Sequence, residues 1–319
     1  MGRQAVSKEF LARHGFGDAT LEPLPSDASF RRYTRLVGGP APALLMESPP
    51  PEDMGAFLAI ARHLAAHGQH APRIFGVDDE QYLIIVEDLG SQTMAQLLDA
   101  GAAPMPLYLA ATEAMASLHA VPPAPTLPNW QSPEMSKATR ATFLEWWWPA
   151  VMGAPASPEL HAEMHAALIA MLEPFNGKAL VHRDFFPANL VPGPKGMGLI
   201  DFQEAAIGNP AYDLVSLVED ARRDVAPEIR EACMARYAEL TGQAGVGVQA
   251  AMAVLGAQRH LRVAGLWVRL HHRDGRPGYL VHGPRCWAMF DRALRHPAAA
   301  PLREFMDRHV PRPLRANPA

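Results

Sequence analysis

Asp184, Asn189 and Asp201 are the residues of this chain whose types and spacing best suit chemistry. Asp184 and Asn189 stand five residues apart in a polar break that runs His182, Arg183, Asp184, Phe185, Phe186, Pro187, Ala188, Asn189. Apolar residues precede the break (Ala179, Leu180, Val181) and follow it (Leu190, Val191). A turn rich in proline and glycine comes next (Pro192, Gly193, Pro194, Gly196), and the short apolar run Gly198, Leu199, Ile200 then ends in Asp201. This order of strand, polar loop, strand, turn, strand and acid predicts a hairpin that delivers Asp184, Asn189 and Asp201 to one small volume. Two carboxylates and a carboxamide gathered there suit a hard divalent cation and a hydroxyl that must lose a proton.

Such a hairpin needs elements to hold it. Ahead of it, residues 7–14 read as a short helix stopped by Gly15, and 20–24 and 30–37 as strands joined by Pro25, Ser26, Asp27, Ala28 and Ser29. A third strand spans 43–47, and 52–67 has helical periodicity, with Met54, Phe57, Leu58, Ile60, Ala61 and Leu64 on one broad face. Residues 73–77 and 82–86 are the next strands. Five strands with one helix after the third are thus expected, ending at Glu87, Asp88, Leu89 and Gly90. Beyond Gly90 the chain turns mostly helical: 93–98, 107–119 and 158–172 before the hairpin, three or four more helices between 212 and 295, and a partly loose tail over 301–319.

Composition narrows the class. The 319 residues suffice for two modest lobes or one large domain, and 49% hydrophobic residues supply a sizeable core. A net charge of −4 leaves no nucleic-acid footprint. Two cysteines, Cys233 and Cys286, make no disulfide framework and point to a reducing cytoplasm. No apolar run approaches the ~20 residues of a membrane span, and residues 1–10 lack a signal-peptide core. The expectation is a cytoplasmic protein, a monomer or weak dimer, with no membrane or nucleic-acid partner.

The motif His-Arg-Asp-x-x-x-x-Asn over 182–189, followed by Asp201-Phe202-Gln203, resembles the catalytic loop and metal-binding aspartate of the protein-kinase-like fold. The stretch Gly208, Asn209, Pro210, Ala211, Tyr212, Asp213, Leu214 brings it closer to the small-molecule branch, the aminoglycoside and choline kinase relatives. The resemblance implies an α/β (α+β) bilobal protein-kinase-like fold, with a small antiparallel nucleotide-binding lobe over 1–90 and a helical lobe over 91–319 that carries the catalytic loop and the acceptor site. It implies ATP and Mg²⁺ in the cleft between the lobes. Asp184 would be the catalytic base, braced by His182, and Asp213 would tie the loop down by hydrogen bonds. Asn189 and Asp201 would hold Mg²⁺. Ser26, Asp27, Ala28 and Ser29 would cover the phosphates, and the backbone of Glu87, Asp88 and Leu89 would read the adenine edge.

Two departures stand out. The phosphate loop contains no glycine, and the third strand, Ala43-Leu44-Leu45-Met46-Glu47, lacks the lysine that kinases use to grip phosphates. No lysine lies between Lys8 and Lys137. Arg31, Arg32 and Arg35 are the nearest cations. By strand alternation Arg31 acts with Arg35, or Arg32 acts alone, and the sequence does not choose. These departures keep a second reading open, a nucleotide-binding scaffold without turnover.

The acceptor also leaves traces. Gln203 to Asn209 leaves no room for a long activation segment, which disfavours protein substrates. Glu145, Trp146 and Trp147, in a segment with Trp148, are placed to meet a sugar together with Gln203; three adjacent tryptophans on a helix cannot all face one core. Arginines at 222, 223, 259, 262, 269 and 273 suit a neutral or anionic sugar better than a polycationic drug. The segments 26–33, 47–53, 86–90, 201–203, 212–217 and 273–275 resemble the bacterial anomeric sugar kinases, which phosphorylate N-acetylmuramate and N-acetylglucosamine at C1 in cell-wall recycling. Other hydroxyl acceptors of the aminoglycoside, choline or homoserine type remain the alternative.

Overall fold

In the computed structural model, residues 3–25 and 30–318 are described, with side chains from Ser7 onward. The chain divides into two compact units, 1–103 with 187–204, and 104–186 with 205–319.

The first unit is built on a five-stranded sheet. Helix α1 (Arg3–Arg13) leads into β1 (Thr20–Pro23), β2 (Arg32–Val37), β3 (Ala43–Glu47), helix α2 (Met54–Ala66), β4 (Ile74–Asp78), β5 (Leu83–Glu87) and the short helix α3 (Met94–Asp99). The strand order is β1-β2-β3-β5-β4, and every pairing is antiparallel. Alternation sends Leu45, Leu83 and Ile85 to one face, where they pack with Phe10, Leu11, Phe16, Leu36 and Ala43, while the intervening Met46 and Ile84 are buried on the other. Helix α2 starts where the Asp53 carboxylate accepts from Ala56 N–H, and it buries Met54, Phe57, Leu58, Ile60, Ala61 and Leu64, the face expected from periodicity.

The second unit begins with α4 (Pro104–His119), β6 (Asn129–Trp130) and α5 (Ser132–Thr142). A wide π-type turn, Phe143–Trp147, follows and runs into α6 (Trp148–Met152) and α7 (Pro158–Leu172). Strand β7 (Ala179–Val181) enters the catalytic-loop motif. The hairpin β8 (Leu190–Gly193) and β9 (Gly196–Leu199) belongs to the first unit, and the chain returns to the second through β10 (Ala206–Gly208). Five helices complete it: α8 (Ala211–Val218), α9 (Pro227–Thr241), α10 (Gly245–Asp274), α11 (Gly283–Ala293) and α12 (Ala300–His309). Thirty-residue α10 is the spine. At Gly265 it touches the end of α5 so closely that a Cβ there would lie 2.5 Å from the Thr142 carbonyl carbon. Thr142 Oγ1 donates to the Arg262 carbonyl oxygen at 2.9 Å across the same contact.

The tail differs from expectation. Instead of a loose end, 300–309 is helical, and buried Arg315 donates to Asp291 at 2.7 Å, Asp307 at 2.7 Å and the Val310 carbonyl at 2.9 Å. A charge this buried must be fully partnered, and its partners bind the tail to α11 and α12.

Candidate active site

The loop after β7 is shaped by one carboxylate. Asp213, in the first turn of α8 and fully buried, accepts the backbone N–H of His182 at 2.7 Å and of Arg183 at 2.8 Å, one on each oxygen. His119 of α4 adds a third contact, Nε2 to Asp213 Oδ2 at 3.0 Å, while its Nδ1 lies 2.8 Å from the Tyr237 hydroxyl. Two main-chain amides converging on one carboxylate require a sharp reversal, and Arg183 supplies it with φ of 73°. The Arg183 guanidinium lies 3.9 Å over the Trp130 ring, and Ser216 Oγ donates to its carbonyl at 3.3 Å. His182 is buried edge-on against Phe185. Asp184 follows directly on this clamp and is half-buried.

Asp184 keeps 35% of its side chain exposed and lines a cavity of about 190 Å³ in the second unit. Its close surroundings push the carboxyl up by desolvation. Arg259 foremost, then Arg262, overcome that push and hold it below the usual carboxylate range. Arg259 Nη1 stands 3.9 Å from Asp184 Oδ1. One face of α10 (Arg259, Arg262, Leu266, Leu270) walls the cavity, with Phe186 and Tyr279 opposite. A larger cavity of about 430 Å³ at the chain's end is lined by Asp291 and Arg315, but these are already paired with each other at 2.7 Å.

In the first unit, the β8–β9 hairpin places Asn189 at its start and Asp201 beyond its end. Ile200 N–H donates to the Asn189 carbonyl at 3.1 Å, and Asn189 Nδ2 comes within 3.4 Å of Asp201 Oδ2. Asp201 has φ of 60°, and its Oδ1 accepts from Gln203 Nε2 at 2.8 Å. Phe202 is buried and stacked on Phe57 of α2 at 5.1 Å, so the residue beside the acid anchors it to the sheet unit. Arg31, buried just before β2, places Nη2 3.0 Å from Glu52 and Nη1 3.9 Å from Asp201. Tyr33 is pushed up to about 12 by burial beside this group.

Of the three arginines that strand alternation left open, Arg31 lies beside Asp201. Arg35 is engaged by Asp88 at 2.6 Å, and Arg32 is exposed. Glu52, which sequence reasoning missed, is the carboxylate partner that buried Arg31 requires. Glu87 and Asp88 spend their side chains on Arg73, Lys195 and Arg35, and their backbone N–H groups donate to the carbonyls of Arg73 at 2.8 Å and Pro42 at 3.1 Å. Ser26, Asp27, Ala28 and Ser29 lie outside the described residues.

The expected acceptor residues behave differently. Trp147 is fully buried, stacked on Phe143 at 4.6 Å, with its indole N–H donating to the Ala316 carbonyl at 2.8 Å. It is a core residue, a correction to the sugar-contact expectation, because the π turn rotates it inward to where the tail closes over it. Trp146 is half-buried and Glu145 exposed, and neither lines the Asp184 cavity. Gln203 is occupied with Asp201. The cavity wall comes instead from α10, whose 259, 262, 266 and 270 share a face, a periodicity visible in the sequence.

The donors at 189 and 201 fit magnesium: a carboxylate and an amide, both hard oxygen ligands, in a pair too sparse for an all-protein cage. Among the described residues no group of three or more His, Cys, Asp or Glu could hold a metal. Magnesium ordinarily takes one or two carboxylates and completes its shell with phosphate oxygens and water.

Comparison with known proteins follows the same line. The chain matches the model of the phosphotransferase enzyme family over residues 20–252. It is 32% identical to the N-acetylmuramate/N-acetylglucosamine kinase of Caulobacter vibrioides, over 97% of either chain. It is 34% identical to the kinase of the same name from Pseudomonas aeruginosa, over 93% of this chain and 92% of that one. Among solved structures it resembles a choline/ethanolamine kinase family protein from Mesorhizobium loti, with a TM-score of 0.65 at 16% identity, covering 95% of this chain and 100% of that chain. That likeness shows the protein-kinase-like fold. Among the described residues no helix is long and apolar enough to cross a membrane.

Proposed function

The chain belongs to the phosphotransferase enzyme family, and from that premise we propose that it transfers a phosphoryl group from ATP to the anomeric hydroxyl of N-acetylmuramate or N-acetylglucosamine, with Mg²⁺. The observation that carries this reading is Asp184: a carboxylate on a clamped loop, held in its ionised form by Arg259 and Arg262 and open to a cavity of about 190 Å³. The kinases named for these two sugars, similar over nearly the whole chain, support the acceptor.

Asp184 orients the acceptor hydroxyl and accepts its proton as the new O–P bond forms and the bond from the γ-phosphorus to the bridging oxygen breaks, releasing ADP. Asp213 keeps that carboxylate aimed by fixing the amides of 182 and 183. Asn189 and Asp201 hold Mg²⁺, which when bound neutralises phosphate charge. Arg31, backed by Glu52, takes the phosphate-gripping place of the missing third-strand lysine. The Glu87–Leu89 main chain meets the adenine. Catalysis of this kind rests on positioning and charge neutralisation, so few protein groups carry chemistry. The need for ATP supports a cytoplasmic protein. The test is ATP consumption with Mg²⁺ across N-acetylmuramate, N-acetylglucosamine, kanamycin, choline and no acceptor. Turnover confined to the N-acetylated sugars is expected, and turnover confined to another acceptor contradicts the assignment.

A further inference from the structure

The cavity beside Asp184 holds three acids and three arginines, but they do not cancel within it. Glu219 is consumed by His260, which shares the lining, at 2.8 Å, and by Arg230 at 2.8 Å and Arg292 at 3.0 Å outside it. Asp220 is consumed by Arg222, Nε to Oδ1 at 2.8 Å, and that guanidinium is in turn stacked on Phe186 at 3.8 Å. What remains is Asp184 facing two guanidiniums, Arg259 and Arg262, with a nearest approach of 3.9 Å. Arg259 is 6% exposed. Its Nη1, and Nε of Arg262, are buried with no hydrogen-bond partner. Buried charged donors without acceptors are rare in folded proteins, and a ligand that brings the acceptors explains them.

Position adds direction. Arg262 lies one turn of α10 beyond Arg259, about 4.5 Å further along the axis. Past it the same face turns apolar, with Leu266 and Leu270 beside Trp267 and Tyr279. The cavity therefore reads, from one end to the other, a proton acceptor, two cations, then an aromatic and aliphatic wall. Resting on the sugar-kinase reading above, we infer that Arg262, supported by Arg259, binds a carboxylate substituent of the acceptor and makes this chain selective for an acidic N-acylated amino sugar over its neutral counterpart. N-acetylmuramate carries such an acid two ring carbons from the anomeric hydroxyl, and N-acetylglucosamine does not. A planar guanidinium meets a carboxylate through two parallel hydrogen bonds, which gives geometric selectivity as well as charge.

The test compares kcat/KM on N-acetylmuramate, its neutral methyl ester and N-acetylglucosamine, for the unsubstituted chain and for Arg262→Gln. The unsubstituted chain should prefer the free acid to the ester by tenfold or more. Arg262→Gln should lower the ratio of acid to N-acetylglucosamine turnover by about 30-fold, and Arg262→Lys should restore part of it. Equal use of acid and ester by the unsubstituted chain overturns the inference whether or not the variants fold. So does a substitution that slows both sugars equally, since it would assign Arg262 to the common chemistry. Inactivity of the unsubstituted chain on all three overturns the sugar-kinase reading itself, and this inference with it.

Discussion

Asp184 stays ionised because the two nearest guanidiniums outweigh its desolvation, and it stays aimed because Asp213 holds the two amides before it. Replacing it with asparagine keeps the shape and removes the carboxylate proposed as proton acceptor. Asp184→Asn should therefore lower kcat by about 10²–10⁴-fold with little change in Tm; turnover near that of the unsubstituted chain would remove its role as base. Arg31 makes a different claim. If it grips phosphate in the place of the strand lysine, Arg31→Met should weaken MgATP binding, measured by calorimetry, while exposed Arg32→Met should not; equal effects would refute the choice between them. At this scale the placements legible in the sequence are those that follow chain order: Asp213 against the amides of 182 and 183, and Asn189 beside Asp201, all lie within one short stretch. The choice among Arg31, Arg32 and Arg35 was not, because β2 begins at Arg32 and Arg31 lies outside the strand alternation used to sort them. Its partner Glu52 is twenty-one residues away in sequence, beyond the reach of any local pattern.

Elements that repeat with a clear period could be read directly. The buried face of α2 and the five-strand run with one helix after the third are set by local spacing, and the structure reproduces both. The segment after α5 could not be read this way. Helical spacing would place 143–148 on an ordinary helix, but the chain widens into a π turn over Phe143–Trp147 and buries Trp147 beneath the carbonyl of Ala316. That outcome depends on the tail, 169 residues away, and on the close pass of α10. Gly265 is what permits the pass. A methyl group there would meet the backbone of Thr142 and Phe143, neither of which is a flexible side-chain end. Gly265→Ala should cost about 1–3 kcal/mol of stability, read as a lowered urea midpoint. Because the same contact holds the Arg262 carbonyl, acceptor KM should rise with it. An unchanged midpoint would mean that α5 and α10 are not held as described.

For the molecule as a whole, acid sensitivity follows from one buried network. Glu219 ties α8 to α9, α10 and α11 through Arg230, His260 and Arg292. Burial pushes Glu219 up, but the His260 hydrogen bond and the charges around it bring it down to about 2. Burial likewise lowers His260 below its ordinary value of 6.5. Both groups bind protons more weakly folded than unfolded, so acid favours the unfolded chain. Stability is full above the ordinary histidine value, begins to fall as pH drops through 6.5, and falls further between 4.5 and about 2 as Glu219 protonates. Glu219→Gln should flatten the lower limb, and a Tm that holds level from about pH 7 to about pH 3 would contradict the network. Phosphoryl transfer to an anomeric hydroxyl with Asp184 as base is read most directly by phosphorus NMR of the product formed from N-acetylmuramate, ATP and Mg²⁺. A sugar 1-phosphate coupled to the anomeric proton is expected, formed far more slowly when Asp184→Asn replaces the unsubstituted chain. Phosphate on any other oxygen, or the same product at the same rate from the variant, would contradict it.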